Sequence, residues 1–166
     1  MNIHPASQST EALLADCSVQ FSRASGPGGQ NRNKVETAAI LTHRPTGIKA
    51  EANERRSQSE NREQALFRLR LRLALEIRNP AELEPSLLWK SRSRGGKIAV
   101  NPAHEDFPAL LAEALDVLAG REDDLAATSA ILGCSNTQLV RFLKNEPRAF
   151  KALNDRRQLR GLHLLR

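Results

Sequence analysis

The sequence predicts an α+β domain of order β, loop, β, β, α, followed by an all-α module with a helix-turn-helix-like centre. Three observations predict it. Short alternating apolar and polar runs come first, leucines at helical spacing follow, and from Pro102 onward the pattern is helical throughout.

"SVQFSR" (Ser18 to Arg23) alternates with Val19 and Phe21 on one face, which predicts the first strand. "TAAILTH" (Thr37 to His43) and "GIKAEA" (Gly47 to Ala52) flank Arg44-Pro45-Thr46-Gly47, whose proline and glycine suit a turn, so the pair predicts a hairpin. Ser57 and Glu60 then form a capping box. Leu66, Leu69, Leu73 and Ile77 make the apolar stripe of a helix that Asn79-Pro80 ends. Leu87 to Val100 has linker-like composition, with Lys90, Arg92, Arg94 and Lys97 around Gly95-Gly96. "FPALLAEALDVLAG" opens with Pro108 in its first turn and closes on Gly120, and three shorter helical patterns follow it. The predicted organisation is an N-terminal segment 1–16, an α+β domain 17–79, a basic linker 80–101 and a helical module 102–166.

Composition narrows the function. The 166 residues are 40% hydrophobic and 27% charged, an ordinary globular balance. No apolar run is long enough to span a bilayer, and no lysine or arginine precedes Arg23, so neither a membrane role nor a leader peptide is expected. Cys17 and Cys134 stand alone, outside any CxxC pattern, which fits a reduced cytoplasmic protein with no metal site and no cofactor. Net charge is +6, with a sequence pI near 10.0, and favours a polyanionic partner. Aromatics are only 4% and tyrosine is absent, so an RNA-recognition sheet that stacks bases is excluded.

The segment "SRASGPGGQNRNKVETAA" (Ser22 to Ala39) packs three glycines and a proline into Gly26 to Gly29. By itself Gly-Gly-Gln reads as a turn between strands. Its surroundings make it more specific. "GPGGQNRNKVETA" resembles the rescue-hydrolase form of a catalytic motif, and "THRPTGIKAEANERRSQSENREQA" is similar to the segment that follows it in class I peptide-chain release factors. Roughly Cys17 to Ile77 thus resembles the Gly-Gly-Gln catalytic domain of the class I release factors and of the codon-independent ribosome-rescue hydrolases.

That resemblance implies translation termination or rescue: hydrolysis of the peptidyl-tRNA ester at the peptidyl transferase centre of the ribosome, against 23S-type rRNA. It assigns Gly28, Gly29 and Gln30 as catalytic. Glycines there permit backbone conformations closed to residues with a Cβ. By resemblance the amide of Gln30 donates to the oxygen that gains charge as water attacks, while its side chain admits water. Gln30 is also the candidate for N-methylation by a glutamine methyltransferase, and a monomer is implied. Arg23, Arg32, Lys34, Arg55, Arg56 and Arg62 lie near the loop or on the adjoining helix, where they would grip RNA phosphates. Arg32 and Arg55 depart from the family, which often has an apolar and an acidic residue there. His43 is expected to be structural or solvent-facing and not a base, since no partner for it is apparent.

Codon-reading release factors carry this loop after a domain that reads the stop codon. Here it begins at residue 28 with no room for such a domain before it, so release without decoding is expected. "LAATSAILGCSNTQLVRFLK" (Leu125 to Lys144) reads as a helix-turn-helix with Gly133 at the turn and Ser135 capping the second helix. Basic residues dominate from Arg141 onward, and Arg141, Lys144, Arg156 and Arg157 are the expected RNA contacts of this module, with "RRQLRGLHLLR" an amphipathic end that orders on RNA. The competing expectation is a non-catalytic nucleic-acid-binding regulator that uses the helix-turn-helix.

Overall fold

In the computed structural model, which describes residues 3–23 and 36–166, the alternating runs form a three-stranded antiparallel sheet in the order β1 (Cys17–Ser22), β2 (Ala38–His43), β3 (Lys49–Ala52). The register pairs Val19 with Leu41 and Leu41 with Ala50, and Phe21 with Ala39 and Ala39 with Ala52, so these residues share one sheet face. Leu41, Ala39, Ala50 and Ala52 on that face are buried, but Val19 and Phe21 are exposed. They sit on the edge strand, where their apolar alternation is kept and cover is thin. The β2–β3 turn is where Arg44-Pro45-Thr46-Gly47 predicted it, with Gly47 at φ +71° and its N–H donating to the His43 carbonyl.

Before the sheet, within the N-terminal segment 1–16, α1 (Thr10–Ala15) is a short helix that the sequence pattern does not predict. Ser9 caps it by accepting the Ala12 N–H, and Leu13 is fully buried. One helical turn and a half is too short for its periodicity to stand out. After the sheet, α2 (Gln58–Glu76) begins as its capping residues required, with Ser57 Oγ accepting the Glu60 N–H. Its buried stripe runs Asn61, Ala65, Leu69, Leu73, one residue every four. Leu66 and Ile77, expected in that stripe, are half-buried instead, and the helix ends at Glu76. From α2, Arg68 donates to the Glu51 carbonyl at 2.8 Å and Arg72 to the Lys49 carbonyl, while Arg68 pairs with Glu54. These guanidinium groups occupy backbone acceptors of the edge strand β3. Arg70 reaches the carbonyls of Ala6 and Gln8 and so ties down the chain ahead of α1.

The chain divides into two units, Pro5–Leu73 and the remainder with Ala74–Arg166. In the second, α3 (Leu87–Arg92) and a hairpin of β4 (Ser93–Arg94) and β5 (Lys97–Ile98) precede α4 (Phe107–Gly120), α5 (Leu125–Leu132), α6 (Asn136–Leu143) and α7 (Pro147–Leu159). The protein is thus mixed α and β, with a small sheet followed by a helical region. Residues 80–101, read from composition as a linker, are folded into this unit. Trp89 is fully buried, donates from Nε1 to the Leu132 carbonyl at 2.8 Å, and meets the Phe142 ring edge-on at 5.6 Å. Gly95 and Gly96, both at positive φ, make the tight two-residue turn of the hairpin. The segment is rich in charge because its cations face outward; its single aromatic goes in.

Candidate functional site

The candidate catalytic residues Gly28, Gly29 and Gln30, with Arg32 and Lys34, lie outside the described residues. What is described is the frame on either side of them. Residues 24–35 connect the end of β1 to the start of β2, and Ser22 pairs with Ala38 across the ladder, so both ends of the connection are fixed side by side.

The returning end is also fastened to the start of α2. Asn61 is fully buried, and its Nδ2 donates to the Thr37 carbonyl at 2.7 Å and to the Arg55 carbonyl at 2.9 Å. Its Oδ1 accepts the Arg55 N–H at 2.9 Å. Both ends of the amide are therefore satisfied, and one side chain joins the 36–37 strand entry, the 53–57 turn and the helix. Gln58 adds a bond from Nε2 to the Glu36 carbonyl at 2.5 Å. Sequence reasoning missed both residues. The available signal was an asparagine at a position of the helix's apolar stripe, where a buried amide must have partners.

Around this frame Arg23, Arg55, Arg56 and Arg62 are all exposed. Arg55 and Arg56 lie in the turn before α2 and Arg62 in its first turns, so the structure gathers these three at one end of the helix. No ion pair to them is present among the described residues. His43 is almost fully buried, its Nδ1 is hydrogen-bonded with Thr46 Oγ1 at 2.8 Å, and burial holds its imidazole below the ordinary value. It ties the β2–β3 turn. Burial likewise pushes the Cys17 and Cys134 thiols up, away from the reactive thiolate. Among the described residues no group of three or more His, Cys, Asp or Glu side chains could hold a metal ion, and no helix is long and apolar enough to cross a membrane.

In the helical unit, caps set the ends of the two short helices α5 and α6. Asp124 caps α5, Gly133 ends it at φ +65°, and Ser135 accepts the Gln138 N–H to start α6. Arg141 on α6 and Lys144 at its C-terminal cap are exposed, Lys144 lying 5.5 Å over the Phe150 ring. Arg156 and Arg157 are placed differently. Arg156 makes a forked pair with Asp123, only 1% exposed, with its closest contact at 2.8 Å, and Arg157 donates to the Asp123 and His163 carbonyls. Both guanidinium groups are occupied in holding α7 to the α4–α5 turn. The end of the chain is ordered as well: Arg156 to Leu159 close α7, and Asn154 exchanges two hydrogen bonds with the Leu165 backbone. Of the stretch expected to order on RNA, Arg156 to Leu159 belong to a helix that buries Ala149 and Leu153, and residues 162–166 form no helix or strand.

Comparison with known proteins accounts for this frame. The family model described as the RF-1 domain matches residues 8–99, more than half of the chain. The chain belongs to the RF-1 domain family of class I peptide chain release factors. It is 52% identical over 58 residues to the chloroplast peptide chain release factor PrfB1 of Arabidopsis thaliana, covering 35% of this chain and 13% of that one. It is 38% identical over 120 residues to peptide chain release factor 1 of Streptococcus thermophilus, covering 66% and 33%. With the Streptococcus pyogenes protein of the same name identity is 34% over 140 residues, covering 78% and 38%. The chain thus spans well under half the length of the curated relatives it matches.

Proposed function

We propose that the protein hydrolyses the ester of peptidyl-tRNA at the ribosome and releases the nascent peptide without reading a stop codon. The reading is carried by one observation: the Gly28-Gly29-Gln30 segment spans two strand ends that the sheet, Asn61 and Gln58 hold in place, within a stretch that matches the RF-1 domain. Codon independence rests on the likeness of "GPGGQNRNKVETA" to the motif of the rescue hydrolases.

Water adds to the ester carbonyl carbon, negative charge gathers on the carbonyl oxygen, and the bond to the ribose oxygen breaks as that oxygen takes a proton. The Gln30 backbone N–H donates to the developing charge, a donor whose loss costs about 3 to 4 kcal/mol of barrier. Gly28 and Gly29 let the backbone come close to the ester, which a Cβ would obstruct. Arg23, Arg55, Arg56 and Arg62 seat the domain on RNA phosphates, with Arg32 and Lys34 from the loop and Arg141 and Lys144 from the helical unit. A glutamine methyltransferase acting on Gln30 belongs to the same reading.

The test is peptide release from purified ribosomes charged with peptidyl-tRNA, on truncated messages, on stop-codon messages and on isolated large subunits. Release that requires Gly29 and no stop codon is expected. Release confined to stop-codon complexes would overturn codon independence. No release from any complex would favour the second reading, a nucleic-acid-binding regulator, for which the α5–Gly133–α6 geometry is the favouring observation.

A further inference from the structure

In the helical unit, two stretches of 20 residues contain no acidic residue: 85–104, with Lys90, Arg92, Arg94 and Lys97, and 125–144, with Arg141 and Lys144. Between them, 105–124 carries Glu105, Asp106, Glu113, Asp116, Glu122, Asp123 and Asp124. The acidic segment supplies the buried helix α4, whose Phe107 packs on Phe142, and the two acid-free stretches also meet each other directly. Trp89 bonds to the Leu132 carbonyl and meets Phe142 edge-on, and the Ser135 N–H donates to the Gly96 carbonyl at 3.3 Å. The tip of the β4–β5 hairpin therefore abuts the start of α6.

From this juxtaposition we infer that the hairpin tip and the outer face of α6 form one RNA-binding surface that takes the phosphate backbone of a duplex. Arg94 and Lys97 flank the Gly95-Gly96 turn and are exposed. Thr137, Arg141 and the capping Lys144 are exposed at spacings of four and three, hence on one face of α6, with Leu139, Phe142 and Leu143 buried behind them. Arg94, Lys97, Arg141 and Lys144 have no ion pair among the described residues, unlike Arg92, which Asp106 neutralises. From Asn136 to its cap Lys144 the helix runs about 12 Å, so cations stand at both ends of the surface.

A strand of unpaired bases is the wrong ligand, because single-strand binding needs aromatic platforms. In this unit Trp89, Phe107 and Phe142 are buried, and Phe150 is half-buried beneath Lys144. Phosphates on a regular helix suit unpaired arginine and lysine, and exposed Asn136 and Thr137 offer partners for ribose 2′-hydroxyls on the shallow groove of an A-form duplex. The choice of RNA over DNA rests on the proposed work at the ribosome; the surface itself does not.

The experiment measures binding of the full chain to a labelled RNA duplex of about 20 base pairs, as a function of salt. Its companions are the same sequence as duplex DNA and as single-stranded RNA. Variants are R94Q/K97Q, R141Q/K144Q, the quadruple, and a charge-matched control, R121Q/K151Q, which neutralises Arg121 in the acidic segment and Lys151 beside Asp155. Each test pair should lower the slope of log affinity against log salt by about two, and the quadruple by about four, with unchanged thermal unfolding. The control should keep the slope, and the DNA duplex and single strand should bind more weakly. A test pair that leaves the slope unchanged overturns the surface, as does a control that lowers it equally. Equal binding of the DNA duplex overturns the assignment to RNA, and stronger binding of the single strand overturns the duplex. Because the readout needs no ribosome, this binding pattern without peptide release would uphold the surface and refute the hydrolase reading.

Discussion

Replacing Asn61 with alanine removes three hydrogen bonds at the point where the loop connection re-enters the sheet. The bonds to the Arg55 N–H and carbonyl are part-buried, as is the bond to Thr37. Thr37 is half-buried, and its carbonyl gives up its donor. At about 1 kcal/mol net per bond, and more for a group left dry, Asn61→Ala should cost about 2 to 4 kcal/mol. Urea unfolding followed by far-UV circular dichroism measures this, and amide hydrogen exchange at Arg55 should lose protection in parallel. Asn61→Asp sharpens the test. Its carboxylate keeps the acceptor for the Arg55 N–H but turns an acceptor toward two carbonyls, so near neutral pH it should cost at least as much as alanine. Protonation restores a donor, and the deficit should shrink as pH falls. At a temperature where the alanine variant stays folded, peptide release should fall by about 10- to 100-fold, because the strand entry beside the loop proposed to be catalytic is no longer tied. A cost below about 1 kcal/mol, or unchanged exchange at Arg55, would refute this account of Asn61.

Gln30→Pro removes the backbone donor and should abolish peptide release, whereas Gln30→Ala should retain part of it; equal losses in the release assay would exclude the backbone amide as donor. Trp89→Phe deletes the N–H bonded to the Leu132 carbonyl and leaves a void beside Phe142, so it should destabilise the helical unit by about 2 to 4 kcal/mol in urea titrations; a loss under about 1 kcal/mol would mean that water replaces the bond. Burial pushes the Asp116 carboxyl from 3.8 up to about 6, with the Asn79 N–H, Arg78 and Glu113 around it. The fold thus favours the protonated form, and the stability this group contributes is full below pH 3.8 and lost as pH rises through about 6. Asp116→Asn keeps an oxygen for the Asn79 N–H and should raise stability at neutral pH by up to about 3 kcal/mol. It should also flatten the stability profile between about pH 4 and 6, and an unaltered profile would assign the pH dependence elsewhere.

The features legible along the chain are those that neighbouring residues settle among themselves. Alternation placed the first strand, the Arg44-Pro45-Thr46-Gly47 turn placed the other two, Ser57 and Glu60 started the long helix, and Gly47 and Gly133 took the positive φ angles that turns and helix ends need. Each is a contest decided within a few residues, by side-chain period or by whether a Cβ is tolerated. The loop motif was legible for the same reason, as a contiguous run. Tertiary structure alone decided the rest. Trp89 is buried by Leu132 and Phe142, which are 43 and more residues away, so the composition of its own segment gave no warning. Arg141 and Arg156 look alike in a basic run, yet one is exposed and the other grips Asp123 across 33 positions. Asn61 matters through a carbonyl 24 residues earlier. A charge or an amide acquires its role from the partner that folding brings to it, and that partner's distance along the chain is invisible to any local pattern.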